Sequence, residues 1–142
     1  MTDPIPKQVL EGLANVPLFS ACNKQELRRV ARLGTQTLVP DKRVLVEQGG
    51  PGFEFCLILE GKVRCLIDGK IVATLGAPDF FGEMALIDRG PRVATIVAEG
   101  PVKLLVFDAR EFSTLLDSAP TIARKVLQSF AARVRANASV QH

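Results

Sequence analysis

The chain has 142 residues, of which 47% are hydrophobic and 23% are charged, and its formal net charge is +3. This length corresponds to one domain, and the composition is that of a globular protein, which excludes a disordered or fibrous chain. The charge is too small to indicate nucleic-acid binding by itself.

The cysteines and the hydropathy pattern bear on the cellular compartment. Cys22, Cys56 and Cys65 are odd in number, lack the spacing of a metal site, and in two cases lie in strand-like runs. This pattern indicates buried thiols in a reducing compartment. The sequence has no run of about 18 apolar residues and no N-terminal signal pattern. We therefore expect a cytoplasmic protein without a bound metal or a membrane span.

Two helices are predicted in the N-terminal helical segment, residues 4–33. Ile5, Val9 and Leu13 fall on one face at helical spacing. Asn23 precedes a second periodic run, and Glu26 three residues later completes a capping-box pattern. The chain is therefore expected to begin with a helix followed by a capped second helix.

From Thr35 onward, short apolar runs alternate with turn residues, which predicts a β-roll over residues 35–107. Asp68-Gly69 separates two of these runs by two residues and predicts a tight hairpin. Many short strands at this spacing indicate an antiparallel barrel or sandwich. The predicted strands cover residues 35–39, 43–47, 53–59, 62–67, 70–75, 93–98 and 102–107.

Two further helices are predicted over residues 108–139. Asp108 can cap the first of them. Pro120 is acceptable in a first helical turn and begins the second, which is predicted to run to about Ala138.

The last helix carries two apolar stripes. Ile122 and Val126 form one stripe, which we expect to dock on the barrel. Leu127, Phe130 and Val134 belong to the other, at coiled-coil-like spacing. The second stripe is either part of the core, a cover for a ligand, or a surface for a partner's helix.

The run from residue 80 to residue 95, FFGEMALIDRGPRVAT, combines a glycine, a carboxylate, small residues and an arginine. Arg92 can meet a phosphate with a bidentate, charge-assisted pair. Gly82 permits close approach of the main chain, and residues 83–86 can form a helical turn whose N–H groups face the same anion. Glu83 can accept a hydrogen bond from a ribose hydroxyl. Taken singly, these residues also fit an ordinary turn, a surface arginine, or an ion pair between Glu83 and Arg92.

This run resembles the phosphate-binding cassette of the cyclic-nucleotide-binding domain. That family includes the regulatory subunit of protein kinase A, cyclic-nucleotide-gated channels and the bacterial catabolite activator protein. The stretches VPLFS at 16–20 and LILEGKV at 57–63 also resemble family elements, and the similarity covers about residues 10–138. It implies a mainly β fold with flanking helices. The expected architecture is a jelly-roll-like β-barrel with N-terminal helices and two C-terminal helices, in one domain over residues 1–142.

The resemblance also implies a ligand and its contacts. Glu83 would bind the ribose and Arg92 the phosphate of a cyclic nucleotide. Val93 lacks the hydroxyl that favours the guanine nucleotide in the family, so cyclic AMP is expected over cyclic GMP. Tyr and Trp are absent, so the last helix must cover the base, and Asn137 matches a position that contacts adenine. The expected ligand-binding residues are Phe81, Gly82, Glu83, Met84, Ala85, Leu86, Arg92, Val93, Ala94 and Asn137.

The expected function is that of a regulatory sensor that binds cyclic AMP and repositions its C-terminal helix. The alternative is the sensor fragment of a catabolite-activator-type transcription regulator without its DNA-binding domain, because the helix-turn-helix of such proteins follows the long helix and this chain ends at His142. For the same reason, direct DNA binding by this chain is not expected. Catalysis is not expected because the only histidine is terminal and no Ser/His/Asp or Cys/His arrangement could converge. The expected partner is a second copy, through the C-terminal helix, or a downstream effector protein.

Overall fold

The computed structural model describes residues 5–52, 54–86 and 90–141, and the side chains of residues 84, 85, 133, 134 and 136–141 lie outside this description. The chain begins with helical elements, continues as strands, and ends with two helices. In chain order the elements are α1 (Lys7–Ala14), a 3₁₀ turn (Pro17–Phe19), α2 (Lys24–Ala31), β1 (Thr35–Val39), β2 (Val44–Val46), β3 (Glu54–Ile67), β4 (Lys70–Gly76), β5 (Phe80–Phe81), a second 3₁₀ turn (Glu83–Leu86), β6 (Thr95–Asp108), α3 (Ala109–Ser118) and α4 (Pro120–Gln141).

The strands form one antiparallel sheet of six strands. Its hydrogen-bonded order is β1-β6-β3-β4, while β2 pairs with β6 and β5 pairs with β3. Within the described residues the path does not close, because β1 and β4 are its ends. Helices flank the sheet in sequence at both ends. The predicted class, mainly β with flanking helices in a jelly-roll arrangement, is therefore confirmed.

The strands β3 and β6 are each 14 residues long, where the sequence predicted two shorter strands for each. In β3 the pairing with β6 shifts register on both sides of Glu60, next to Gly61, whose φ is +93°. A glycine at positive φ lets a strand bend without ending. In β6, Gly100 has φ +76° and its N–H is bonded to Asp41 Oδ1 at 2.7 Å. The turn residues therefore mark bends within continuous strands.

Two apolar clusters lie on opposite faces of β3 and β6. Successive side chains of a strand point to opposite faces of the sheet. Phe55 and Leu57 therefore belong to one cluster, the helical cluster, and Cys56 and Ile58 to the other, the roll cluster. The helical cluster contains Val9, Leu13, Val16, Leu18, Phe19, Leu27, Val30, Phe55, Leu57, Leu59, Leu86, Leu105, Phe107, Phe112, Leu115, Ile122 and Val126, among others. The roll cluster contains Val39, Cys56, Ile58, Val63, Phe81, Ile96, Ala98, Val102 and Leu104.

The predicted caps and hairpin are present. Glu26 N donates to Asn23 Oδ1 at 2.9 Å and Asn23 N donates to Glu26 Oε1 at 2.8 Å, which completes the capping box of α2. Asp108 Oδ1 accepts from the amide that follows it by two residues and caps α3. Such caps each contribute about 1 kcal/mol. Asp68 (φ +52°) and Gly69 (φ +79°) are both left-handed, as a two-residue hairpin requires.

The last helix is attached to the N-terminal helical elements. Ile122 and Val126 are buried in the helical cluster, so the first stripe packs against helices as well as strands. Lys125 Nζ lies 2.7 Å from Glu26 Oε1, and this bond lowers the pKa of the Glu26 carboxyl. In the second stripe, the side chain of Leu127 is 65% exposed. Among the described residues, none of the helices has the length and hydropathy needed to cross a membrane.

Candidate functional site

A cavity of about 410 Å³ lies between the roll and the segment that joins β5 to β6. Its volume is within the range of small-molecule sites, about 300–1,000 Å³. Its walls are mostly apolar, with Glu83 and Arg92 as the charged side chains. The lining residues are Val46, Cys65, Leu75, Phe80, Phe81, Gly82, Glu83, Gly90, Pro91, Arg92, Val93, Ala94 and Ile96. Six of the residues that the sequence analysis singled out therefore surround one cavity.

Arg92 is held by its main chain and by one end of its guanidinium. Its N–H donates to Gly50 O at 2.9 Å, and its carbonyl accepts from Gly49 N at 2.7 Å. Nη2 donates to Glu54 O at 2.5 Å. Nε is buried and has no hydrogen-bond partner in the described part of the chain. Burial lowers the pKa of Arg92 because the charged form loses hydration. A desolvated cation with an unused donor is a favourable partner for an anion.

Two glycines enclose the Arg92 guanidinium. A Cβ on Gly52 would overlap with Arg92 Nε, and a Cβ on Gly82 would lie 2.5 Å from Nη1 and 2.6 Å from Glu54 O. Gly82 also has φ +80°, a conformation that other residues seldom adopt. The guanidinium can therefore take this place only because both positions lack a side chain.

Glu83 begins the 3₁₀ turn Glu83–Leu86, which the sequence predicted as a turn of helix. Its side chain is buried, with only 6% of the residue exposed. Its Oε2 accepts a hydrogen bond from Leu18 N at 3.4 Å. Leu18 belongs to the 3₁₀ turn Pro17–Phe19. The carboxylate thus lines the cavity and also contacts the N-terminal helical elements.

The other predicted site residues do not all reach the cavity. Leu86 is buried in the helical cluster. The side chains of Met84, Ala85 and Asn137 lie outside the described residues. The hydroxyl of Thr95 accepts from Gln48 N at 2.9 Å, so this threonine has a structural hydrogen bond to the loop before β3.

Several lining residues had no signal in the sequence. The cassette pattern covers residues 80–95 only, whereas Val46, Cys65 and Leu75 reach the cavity from three other strands. Cys56, which pairs with Phe81 between β3 and β5, is a core thiol whose burial raises its pKa to about 12. No group of three or more potential metal ligands is found in the described ranges. Val46, Cys65 and Leu75 could not be assigned to the cavity from the sequence, because strands that are far apart in the chain share a cavity only through their pairing in the sheet.

The lining of this cavity suits a small anion that carries an apolar or flat group. Arg92, with a donor that has no partner among the described residues, and the carboxylate-bearing Glu83 both line it, and the other lining residues are mostly apolar. Residues 36–119 match the family model of the cyclic nucleotide-binding domain. The chain therefore belongs to the cyclic nucleotide-binding domain family.

Similar proteins include a cyclic nucleotide-gated potassium channel of Rhizobium etli, 38% identical over 80% of this chain and 32% of the channel. A cAMP-dependent protein kinase regulatory subunit of Schizosaccharomyces pombe is 34% identical over 79% of this chain and 27% of the subunit. The chain thus spans about a third or less of these curated relatives. The solved N-terminal domain of a Streptomyces coelicolor transcriptional regulator is 28% identical with a TM-score of 0.82, over 91% of this chain and 93% of that domain. These matches indicate no catalytic family.

Proposed function

We propose that this domain is a sensor that binds cyclic AMP without chemical conversion and repositions α4 on binding. The observation that carries the proposal is that Arg92, whose buried Nε has no hydrogen-bond partner among the described residues, lines a cavity that Glu83 also lines. A cyclic nucleotide offers one anionic phosphate and one free 2′-hydroxyl, which suit a guanidinium and a carboxylate respectively. Family membership supports the same ligand class.

The proposed complex assigns a role to each polar group of the nucleotide. Arg92 Nε would donate to the phosphate, and the amides of Ala85 and Ala94 would add to the same anion. Glu83 would accept from the 2′-hydroxyl. Val93 lines the cavity, is 79% exposed, and has no hydroxyl to offer a guanine. We therefore propose cyclic AMP over cyclic GMP, and the S. pombe relative is named for its dependence on the same nucleotide.

Titration calorimetry with cyclic AMP, cyclic GMP and 5′-AMP tests the proposal. Cyclic AMP is expected to bind at least about tenfold more tightly than cyclic GMP, a difference of about 1.4 kcal/mol. 5′-AMP should bind poorly, because its open, dianionic phosphate does not match a site for a ring ester. Equal affinities for cyclic AMP and 5′-AMP would contradict a site that recognises the cyclic phosphate.

The proposed output follows a short series of contacts from the cavity to α4. Glu83 Oε2 accepts from Leu18 N. Two residues beyond Leu18, the Ser20 hydroxyl lies 3.2 Å from the Ser129 hydroxyl on α4. A 2′-hydroxyl that donates to Glu83 Oε2 would compete with Leu18 N for that oxygen, and the hydrogen bond from Leu18 N is already long at 3.4 Å. Ligand binding would then weaken the attachment of the Pro17–Phe19 turn, and through it the position of α4.

Amide hydrogen exchange tests this output. On saturation with cyclic AMP, the Leu18 amide is expected to exchange faster, because its acceptor is taken by the ligand, and exchange across α4 (Pro120–Gln141) is expected to change as well. NMR can follow the single amide. The amides of β1, on the outer edge of the sheet, serve as an internal reference. Unchanged exchange of both Leu18 and α4 at saturation would rule out the proposed output.

A second candidate function is the sensor part of a transcription regulator. The likeness to the N-terminal domain of the Streptomyces coelicolor regulator, over nearly the whole of both chains, favours this context. In either context a second copy or an effector protein would meet α4, where Leu127 is exposed. Both candidates share the ligand site, so the titration bears on both.

A further inference from the structure

The loop between β2 and β3, residues 47–52, is tied to two distant parts of the chain by Gln48. The side chain of Gln48 donates from Nε2 to Asp68 Oδ1 at 3.0 Å and accepts from Asp68 N at Oε1, at 2.8 Å. The Gln48 N–H donates to Thr95 Oγ1 at 2.9 Å. The loop is thereby attached to the tip of the β3–β4 hairpin and to the first residue of β6.

The same loop holds Arg92. The two residues that follow Gln48 make the pair of main-chain hydrogen bonds with Arg92, at 2.7 Å from Gly49 N and 2.9 Å to Gly50 O. Gly52 lies so close to the guanidinium that a Cβ there would overlap with Nε. The position of this loop therefore determines where the guanidinium lies and how completely Nε is shielded from water.

The attachment point is itself well defined. Asp68 and Gly69 both have positive φ and form the two-residue turn between β3 and β4, so the hairpin tip has little conformational freedom. A bidentate contact from Gln48 to this tip fixes both the direction and the distance of the loop. Gly49 and Gly50 are flexible residues that gain order from such an anchor.

We propose that Gln48 is a positioning residue of the phosphate site. It ties the Glu47–Gly52 loop to the β3–β4 hairpin and so holds Arg92 with Nε ready for the phosphate, without touching the nucleotide itself. The inference rests on the proposed function, because it takes Arg92 as the phosphate ligand. Outer residues that orient a binding group typically change affinity by about 10- to 100-fold when they are removed from a metal site, and a loop anchor belongs at the lower end of that range.

Gln48→Ala is the first variant of the test. Its cyclic AMP dissociation constant, measured by calorimetry, is expected to rise about tenfold. The matched control is Gln25→Ala, at an exposed position of α2, which should bind like the wild type. The NMR-measured exchange of the Gly49 and Arg92 amides in the ligand-free protein should accelerate in Gln48→Ala and not in the control.

Exchanging the amide at position 48 and the carboxylate at position 68 distinguishes an effect on the position of the loop from an effect on the stability of the fold. Gln48→Glu places a second carboxylate against Asp68 and should weaken binding at least as much as the alanine. Asp68→Asn alone keeps the bond from Gln48 Nε2 and suits the left-handed backbone, so it should be nearly neutral. The double variant Gln48→Glu, Asp68→Asn restores a donor–acceptor pair in the opposite sense and should recover most of the affinity.

The outcomes distinguish the inference from the function on which it rests. If the wild type binds cyclic AMP and the Gln48→Ala and Gln48→Glu variants bind it with the same affinity as the wild type, the role of Gln48 is overturned. The proposed function is then left intact. A double variant as weak as Gln48→Glu also overturns the role of Gln48, because the Gln48–Asp68 contact would not be the cause. A wild type that does not bind cyclic AMP overturns the proposed function, and the inference with it.

Discussion

Replacing Arg92 by alanine is expected to weaken cyclic AMP binding by about 3 kcal/mol, or roughly a hundredfold. The expected loss is large because the guanidinium is already partly desolvated and its Nε is buried without a partner among the described residues. Its removal would leave the phosphate charge in an apolar cavity with no counter-charge from this position. The unfolding temperature should change less, since loss of the Nη2 hydrogen bond to Glu54 O is offset by removal of a buried Nε that has no partner among the described residues. Titration calorimetry and thermal unfolding on the same samples give both quantities.

Two further variants sharpen the assignment of Arg92. Arg92→Lys keeps the charge but loses the planar fork, so an intermediate affinity is expected. Arg29→Ala removes one exposed arginine from α2, far from the cavity in sequence, and should leave affinity unchanged. If Arg92→Ala bound cyclic AMP as tightly as the wild type, another group would have to hold the phosphate.

Replacing Gly82 by alanine is expected to damage both stability and binding. The backbone at Gly82 has φ +80°, and its new Cβ would lie 2.5 Å from Arg92 Nη1 and 2.6 Å from Glu54 O. The left-handed conformation costs an alanine about 1–2 kcal/mol, and relief of the overlap costs about 1–3 kcal/mol more. Because the mobile partner is the guanidinium, we expect it to be displaced. A stability loss of about 3 kcal/mol and affinity close to that of Arg92→Ala should be observed.

Gly100→Ala is the matched control for Gly82→Ala. Gly100 has nearly the same φ, +76°, but no heavy atom would lie within 4 Å of a Cβ there apart from its own chain neighbours. Denaturant unfolding should therefore show only the conformational cost of about 1–2 kcal/mol, with cyclic AMP affinity unchanged. Equal effects of the two substitutions on affinity would show that the contact with Arg92 is unimportant.

Local patterns predicted much of the fold. The capping box at Asn23 and the hairpin at Asp68-Gly69 are properties of a few consecutive residues, and both are found. The prediction that β3 and β6 would each be two strands was wrong. Gly61 and Gly100 mark bends within strands, and glycine is equally typical of a turn between strands. Only the fold distinguishes the two cases.

The candidate site was predictable where it is contiguous and not where distant segments meet. The segment with Gly82, Glu83 and Arg92 is one continuous run, so its chemistry could be recognised. The position of the guanidinium could not be predicted, because its hydrogen-bond acceptor, Glu54 O, lies 38 residues from Arg92 in sequence. The contact between Glu83 and Leu18 crosses 65 residues. No local spacing carries information about such partners.

The two apolar clusters have a consequence for how such a domain can diversify. The cavity wall includes Phe81 and Ile96 of the roll cluster, together with Val46, Cys65 and Leu75, which pack against that cluster. The residues that attach α4, such as Ile122 and Val126, belong to the helical cluster on the other side of β3 and β6. The backbone of β3 and β6 therefore lies between the cavity and the residues that attach α4. Under the proposed function, substitutions at Ile122 or Val126 would change how α4 is attached while the side chains that line the cavity stay the same, so an engineer could exchange one output for another on the same ligand site.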